Sequence, residues 1–313
     1  MARPAGSAPD RLLRRLEWRL VRRVDGRLRG AYRTVWRGTG IDFTDLRLYT
    51  PEDDVRHIDW NVTARLDEPF VRQYTEDREM TAWLVVDRSA SMRFGRPEAG
   101  KESVATELAV ALGRIVAQGG NRVGAILFDN EDEPVRGGKP MQPRNSKIIQ
   151  PRTGRDQILR IARELTRPPP RARPGATTDL AAMLRLAAST TARRRSLIVV
   201  MSDFIGDPGW ERALAMLTHR HEVVVIRVVD PAELDLPDFG MLVVEDAETG
   251  EQLLVDTGDP LLRSRLAAEV AAREEALAGA MRQAGVAPHR ITTDQDLLAV
   301  LVDLVRRSGR SRR

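Results

Sequence analysis

Four short runs after residue 80 constrain the fold most: Trp83–Val86, Val123–Phe128, Leu197–Met201 and Val223–Val229. They are apolar at nearly every position and rich in β-branched residues. A strand with one wet face alternates polar and apolar residues, whereas a continuous apolar run marks a strand buried on both faces of a sheet. Helical segments are predicted between and around these runs, at 102–118, 155–166, 178–191 and 209–219. Strand and helix in alternation imply parallel β-α-β units. The predicted fold is α/β, a doubly wound, mostly parallel sheet flanked by helices, with an N-terminal helix and extended segment packed on it. The predicted divisions are 1–79 for the N-terminal segment, 80–306 for the sheet domain and 307–313 for a disordered basic tail.

Two hairpins interrupt the alternation. One turns near Gly137-Gly138, and the other turns at Thr249-Gly250 between Met241–Glu245 and Gln252–Asp256. Thr153 with Asp156 has the spacing of a capping box for the second helix. Pro168, Pro169 and Pro170 mark a stiff connection, and two further helices are predicted at 261–283 and 296–306. Residues 1–9 have the Gly, Pro, Ser and Arg content of a disordered end. At 42% hydrophobic the 313 residues can bury a sizeable core, yet no apolar run approaches the roughly 18 residues a bilayer span needs. Zero cysteines exclude disulfides, thiolate zinc sites and cysteine nucleophiles. The expected location is cytoplasmic.

The net charge of +5 conceals an asymmetry. Residues 1–40 carry eleven Arg against Asp10, Glu17 and Asp25, a net of +8, and residues 305–313 add five Arg and no acid. The intervening body therefore carries −8. From Asp10, Leu13, Leu16, Leu20 and Val24 recur at near-helical spacing with Arg14, Arg15, Arg19, Arg22 and Arg23 among them. This basic amphipathic pattern fits packing onto the chain's own acidic body, a membrane surface or nucleic acid. Of 50 basic residues only Lys101, Lys139 and Lys147 are lysine. Such a bias also follows from a GC-rich genome.

In a parallel sheet, ligands collect where loops converge at the carboxyl ends of the strands. There the first run ends in Asp87-Arg88-Ser89-Ala90-Ser91-Met92, the third ends in Ser202-Asp203, and Thr178-Asp179 opens a helix between them. This oxygen-rich set suits a hard divalent cation, since Mg²⁺ takes about six oxygens and keeps several waters. Ser89, Ser91 and Thr178 are candidate direct ligands, with Asp87 and Asp203 contributing directly or through water. A cation held mainly by hydroxyls stays short of negative charge and accepts a carboxylate from a partner. The competing reading is that these residues only cap turns and helices.

The array Asp87-Arg88-Ser89-Ala90-Ser91, Thr178 and Ser202-Asp203 resembles the metal-ion-dependent adhesion site of von Willebrand factor A domains. A second resemblance lies upstream. Residues 38–60, Gly38-Thr39-Gly40-Ile41-Asp42-Phe43 through Arg56-His57-Ile58-Asp59-Trp60, are similar to the signature of domain-of-unknown-function family 58. Asn61-Val62-Thr63-Ala64-Arg65, Val71-Arg72-Gln73-Tyr74 and Ser202-Asp203-Phe204 continue it. Asp42 and Glu52 depart from the family's usual Glu and Gly. Together the resemblances imply a von Willebrand factor A-like, Rossmann-type domain binding Mg²⁺, or Mn²⁺ or Ca²⁺, through Asp87, Ser89, Ser91, Thr178 and Asp203. They further imply an adaptor or co-chaperone without enzymatic activity. Its implied partner is a MoxR-type AAA+ ATPase, with nucleic acid an improbable ligand.

Other patterns carry less. Asp45, Asp53, Asp54 and Asp59 interleave with Arg47, Arg56 and Arg65, the pattern of a partly buried ion-pair network pinning this segment to the main domain; a catalytic His57–Asp59 pair is the alternative. Gly95 to Lys101 imitates a phosphate-binding loop, but Glu102 stands where a Ser or Thr would hold Mg²⁺. Ser89 replaces the second Asp that a haloacid-dehalogenase type of phosphohydrolase needs. A metal-dependent hydrolase and a nucleic-acid binder acting through the basic ends are the competing functions.

Overall fold

The computed structural model describes residues 41–310, apart from 52, 67, 77–79, 97–98, 129–145, 169–177, 236–237 and 246–250. The predicted N-terminal helix, the Gly137-Gly138 and Thr249-Gly250 turns and most of the proline connection lie outside the described residues.

Ten strands are described: β1 (Ile41–Leu48), β2 (Phe70–Glu76), β3 (Thr81–Asp87), β4 (Arg122–Phe128), β5 (Lys147–Arg152), β6 (Leu197–Ser202), β7 (Glu222–Val229), β8 (Met241–Glu245), β9 (Gln252–Asp256) and β10 (His289–Thr292). The helices are α1 (Trp60–Leu66), α2 (Lys101–Gln118), α3 (Arg155–Leu165), α4 (Leu180–Thr191), α5 (Glu211–Arg220), α6 (Pro260–Gln283) and α7 (Leu297–Arg310). The central sheet has the order β10-β7-β6-β3-β4-β5. All its pairings are parallel except β4 with β5. The four apolar runs are thus four adjacent central strands.

Their side chains divide by parity. Leu84 and Val86 of β3, with Val123, Ala125 and Leu127 of β4, face Leu108 and Leu112 of α2 and Ile158 and Ile161 of α3. Trp83 and Val85, with Ile126 and Phe128, face Met183 and Leu184 of α4 and Leu214 and Leu217 of α5. Each layer burying apolar surface contributes about 25 cal/mol per Å², so a strand with two apolar faces is held from both sides. Continuous runs are therefore retained where an alternating strand would expose half its length.

Some local expectations change. Helix α3 starts after Gly154, at φ 89°, with no side-chain cap, so the Thr153–Asp156 capping box does not form. Asp156 still lies in the first turn, where its charge favours the helix dipole. Helix α7 continues to Arg310, four residues into the predicted tail. Strands β8 and β9 occupy the predicted residues and pair antiparallel from Met241↔Asp256 to Glu245↔Gln252. The antiparallel pair of β4 with β5 flanks the connection that contains Gly137-Gly138, but the residues of β5 and the short parallel edge strand β10 are not marked in the sequence, because neither carries a continuous apolar run.

The upstream segment folds as an antiparallel pair, β1 with β2, with α1 in the connection between them. Several of its charges are bonded to near neighbours in the chain. Arg47 pairs with Asp53, whose carboxylate also accepts from the Thr50 amide and hydroxyl. Asp54 accepts from the Arg56 amide, and Asp59 accepts from the amides of Asn61 and Val62 at the start of α1. Asp59 therefore caps α1, while the side chain of His57 lies outside the described residues.

Gly124 on β4 makes room for Trp83. A Cβ there would lie 2.9 Å from the indole Cε3 and 3.0 Å from the Ile149 carbonyl oxygen. Gly124→Ala is expected to lower stability by about 1–3 kcal/mol through overpacking, read as a lower urea midpoint at unchanged m-value.

Candidate functional site

The sheet reverses its winding between β3 and β6. The connection from β3 through α2 leads to β4 on one side, while β6 lies on the other and the chain then proceeds outward to β7. The crevice beyond the carboxyl ends at such a reversal is where open α/β sheets bind ligands. Register places Val86 opposite Met201, so Asp87 and Ser202 leave the sheet side by side.

They are directly bonded. The Ser202 hydroxyl donates to Asp87 Oδ2 at 2.6 Å, and the Ser89 amide donates to Oδ1 at 2.9 Å. Ser89 Oγ and Ser91 Oγ lie 3.1 Å apart, both buried. One residue on, the Phe204 amide donates to Ser202 Oγ, and the Ile205 amide donates to Asp203 Oδ1, each at 2.9 Å. Phe204 is held at φ 57°, a left-handed conformation unusual for a bulky residue. Its ring meets Trp210 edge-on, with centroids 5.2 Å apart, which anchors the strained turn.

Thr178 is buried and joins through the same loop. Its carbonyl accepts from Asp207, and a Cβ on Gly206 would lie 2.5 Å from that oxygen. Only glycine permits this approach. The structure thus links Asp87, Ser89, Ser91 and Ser202 by hydrogen bonds, with Asp203 next in the chain, and packs Thr178 against Gly206 and Asp207 of the Asp203 loop. Asp179, the next residue, caps α4 by accepting from the Ala182 amide at 2.7 Å.

Two buried carboxylates face this crevice in different electrostatic states. Asp87 is pushed up to about 6, first by burial and then by the charge of Asp203, with the bonds from Ser202 and Ser89 opposing. Asp203 instead has a permanent countercharge. Lys101 Nζ, fully buried, donates to Asp203 Oδ2 at 2.7 Å and to Glu233 Oε1 at 2.5 Å. The ammonium also lies 5.8 Å from the Phe94 ring centroid. Arg227 Nε donates to the Asp203 carbonyl at 3.1 Å, while its other nitrogens grip Glu274 of α6. Arg88 points away, to the carbonyls of Glu164 and Arg167 at the end of α3.

A divalent cation fits this chemistry. Paired serine oxygens and a desolvated carboxyl with a raised pKa leave unbalanced negative potential that a cation relieves. Asp203, with one oxygen on Lys101 and the other on an amide, is better placed to act through water. Among the described residues no group of three or more His, Asp or Glu side chains is arranged around a metal position.

Comparison with known proteins decides the family. The pattern described as protein of unknown function DUF58 matches residues 45–276. The chain belongs to the DUF58 family. Uncharacterized protein Mb1516 of Mycobacterium bovis is 38% identical over 299 residues, covering 95% of this chain and 89% of its own. Uncharacterized protein MAV169 of Mycobacterium avium is 37% identical over 155 residues, half of this DUF58 chain and 90% of its own. Among solved structures, the conserved hypothetical protein BatB from Bacteroides thetaiotaomicron matches with a TM-score of 0.45 at 15% identity. That match covers 74% of this chain and 99% of BatB. An aerotolerance-related membrane protein from Bacteroides fragilis matches at TM-score 0.44 and 16% identity, with the same coverage. No helix among the described residues of this DUF58 protein is long and apolar enough to cross a membrane.

Lys101, Arg227, Glu233 and Glu274 are the residues that sequence reasoning missed. Lys101 was visible only as the false end of a phosphate loop, although a lysine opening a helix in an Arg-dominated chain is a signal in itself. Lys101→Met keeps the volume but strands Asp203 and Glu233. It is expected to cost about 3–5 kcal/mol in denaturant titration.

Asp87 gives the DUF58 fold a pH signature. Its folded pKa of about 6 exceeds the ordinary 3.8, so its contribution to stability is complete below about pH 4 and is lost as pH rises through 6. Asp87→Asn carries no such loss. With chelator present, the variant should gain on the parent by on the order of 2 kcal/mol between pH 4 and 7. A pH-independent difference in unfolding free energy contradicts this.

Proposed function

We propose that this protein is a divalent-metal-dependent adaptor, binding a partner's acidic residue through Mg²⁺, or Mn²⁺ or Ca²⁺, at a site resembling the metal-ion-dependent adhesion site of von Willebrand factor A domains. The observation that carries the reading is the asymmetry of the two carboxylates. Lys101 already neutralises Asp203, leaving Asp87, among the described residues, as the carboxylate without a cation beside Ser89 and Ser91. A divalent cation seated against a single carboxylate and neutral hydroxyls keeps net positive charge. It therefore favours one further carboxylate over activation of a water, which needs a neighbouring base.

Ser89, Ser91 and Thr178 serve as direct ligands in this reading, Asp87 directly or through water, and Asp203 through water. The metal supplies Lewis acidity toward the incoming carboxylate, and the chain supplies the dry, fixed loops around it. Resemblance to DUF58 proteins supplies the partner class, a MoxR-type AAA+ ATPase, with this chain coupling the ATPase to a client in the cytoplasm. That step rests on analogy of family.

Ser89→Ala with Ser91→Ala is expected to weaken Mn²⁺ binding at least tenfold, followed by electron paramagnetic resonance of free Mn²⁺, with an unchanged circular dichroism spectrum. Affinity that ignores both substitutions rejects the site. Pull-down of an AAA+ ATPase with Mg²⁺ but not with chelator supports the partner, whereas equal recovery under both conditions rejects metal-mediated docking.

A further inference from the structure

The hairpin β8–β9 stands apart from the central sheet and, among the described residues, pairs with no other strand. Phe239, Met241, Val243, Val244, Leu253 and Leu254 are between 44% and 66% exposed. Met241, Val243 and Leu254 share one face, while Val244 and Leu253 lie on the other. A lone two-stranded hairpin is marginal in water, and an exposed apolar patch of this kind marks a contact surface. Its base is nonetheless fixed. The buried Thr257 hydroxyl donates to the Gly240 carbonyl at 2.8 Å and accepts from the Phe239 amide at 2.8 Å.

The surrounding charge identifies what covers it. From Asp230 to Asp259 the sequence holds ten acidic residues and no Lys, Arg or His. Asp238, Glu245, Glu251, Asp256 and Asp259 are exposed around the apolar strands. This rim repels an anionic bilayer and attracts a cationic amphipathic segment. The chain itself contains one. Leu13, Leu16, Leu20 and Val24 recur at helical spacing among Arg14, Arg15, Arg19, Arg22 and Arg23. Residues 25–40 link this segment to β1 and span up to about 55 Å when extended. That reach is long against the radius of gyration of about 18 Å expected for a body of this length. The other exposed apolar group, Leu48, Val55, Trp60 and Leu66, has mixed charge around it, with Arg47, Arg56 and Arg65 among Asp53, Asp54 and Asp59, whereas the hairpin's rim is acidic without any Lys, Arg or His.

We propose that the acidic apolar hairpin β8–β9 is the docking site for the chain's own basic amphipathic segment, residues 10–24. The Leu/Val stripe lies on Met241, Val243 and Leu254, and the arginines meet the acidic rim.

Absence of native cysteine makes the test clean. In the full chain, Leu20→Cys with Leu254→Cys is compared with Leu20→Cys plus Met216→Cys, an exposed position on α5. Mild oxidation should give an intrachain disulfide at least fivefold more abundant for the hairpin pair, falling severalfold in 0.5 M NaCl. Equal yields for both pairs overturn the proposal. Predominantly interchain disulfide at Leu254 also overturns it, since the occupant is then a second copy. As a second measurement, Arg19→Glu, Arg22→Glu and Arg23→Glu together leave the hairpin sequence intact. They should speed amide hydrogen exchange in β8 and β9 at least fivefold, and unchanged exchange refutes docking.

Discussion

The carboxyl edge of the sheet is organised around one buried cation. Lys101 opens α2, yet its ammonium reaches Asp203 after β6 and Glu233 after β7. Three loops from separate parts of the chain are thereby tied to a single point. Asp230, three residues before Glu233, extends the network by accepting from Thr293 beyond β10. Removing water from an ammonium is costly unless charged partners replace it. Two carboxylates at hydrogen-bond distance do so, and the cost of breaking this arrangement fixes the loops relative to one another. Backbone strain at Phe204 persists because the surrounding contacts leave that turn no alternative.

The same cation sets the character of the neighbouring crevice. Asp87 and Asp203 lie close enough for each charge to bear on the other, but among the described residues only Asp203 has a lysine. Had both been compensated, nothing would draw a metal there. Had neither been, the pair would share a proton, as like charges at close range do. One compensated and one uncompensated carboxylate beside two serine hydroxyls is an intermediate state, suited to a cation that retains an appetite for another anion.

The legible parts of the molecule are those written locally. Continuous apolar runs specify strands covered on both faces, so β3, β4, β6 and β7 followed from periodicity alone. Edge strands β5 and β10 did not, because an edge tolerates Lys147, Gln150, His289 and Arg290. Asp87, Ser89 and Ser91 were legible because they fall within five residues after a buried strand, and Ser202-Asp203 because it ends another. The bonds from Ser202 to Asp87 and from Lys101 to Asp203 and Glu233 cross 102 to 132 residues. No local pattern encodes such pairings. In the upstream segment the local part is plain, since Asp54 and Asp59 accept from backbone amides two or three residues on.

The hairpin and the crevice are connected in series along the chain. Entry to the hairpin follows Glu233, which holds Lys101, and exit leads into α6, where Glu274 holds Arg227. Lys101 grips the Asp203 side chain and Arg227 grips its carbonyl. The excursion from 234 to 259 is therefore inserted between the two acidic residues that brace Asp203 from either side. Whatever covers β8 and β9 bears on a segment whose two ends are anchored, through Glu233 and Glu274, to the residues that hold Asp203 at the crevice. An unpartnered hairpin inserted there would expose apolar strands without contributing to the core; an occupant drawn by its acidic rim accounts for both its composition and its position.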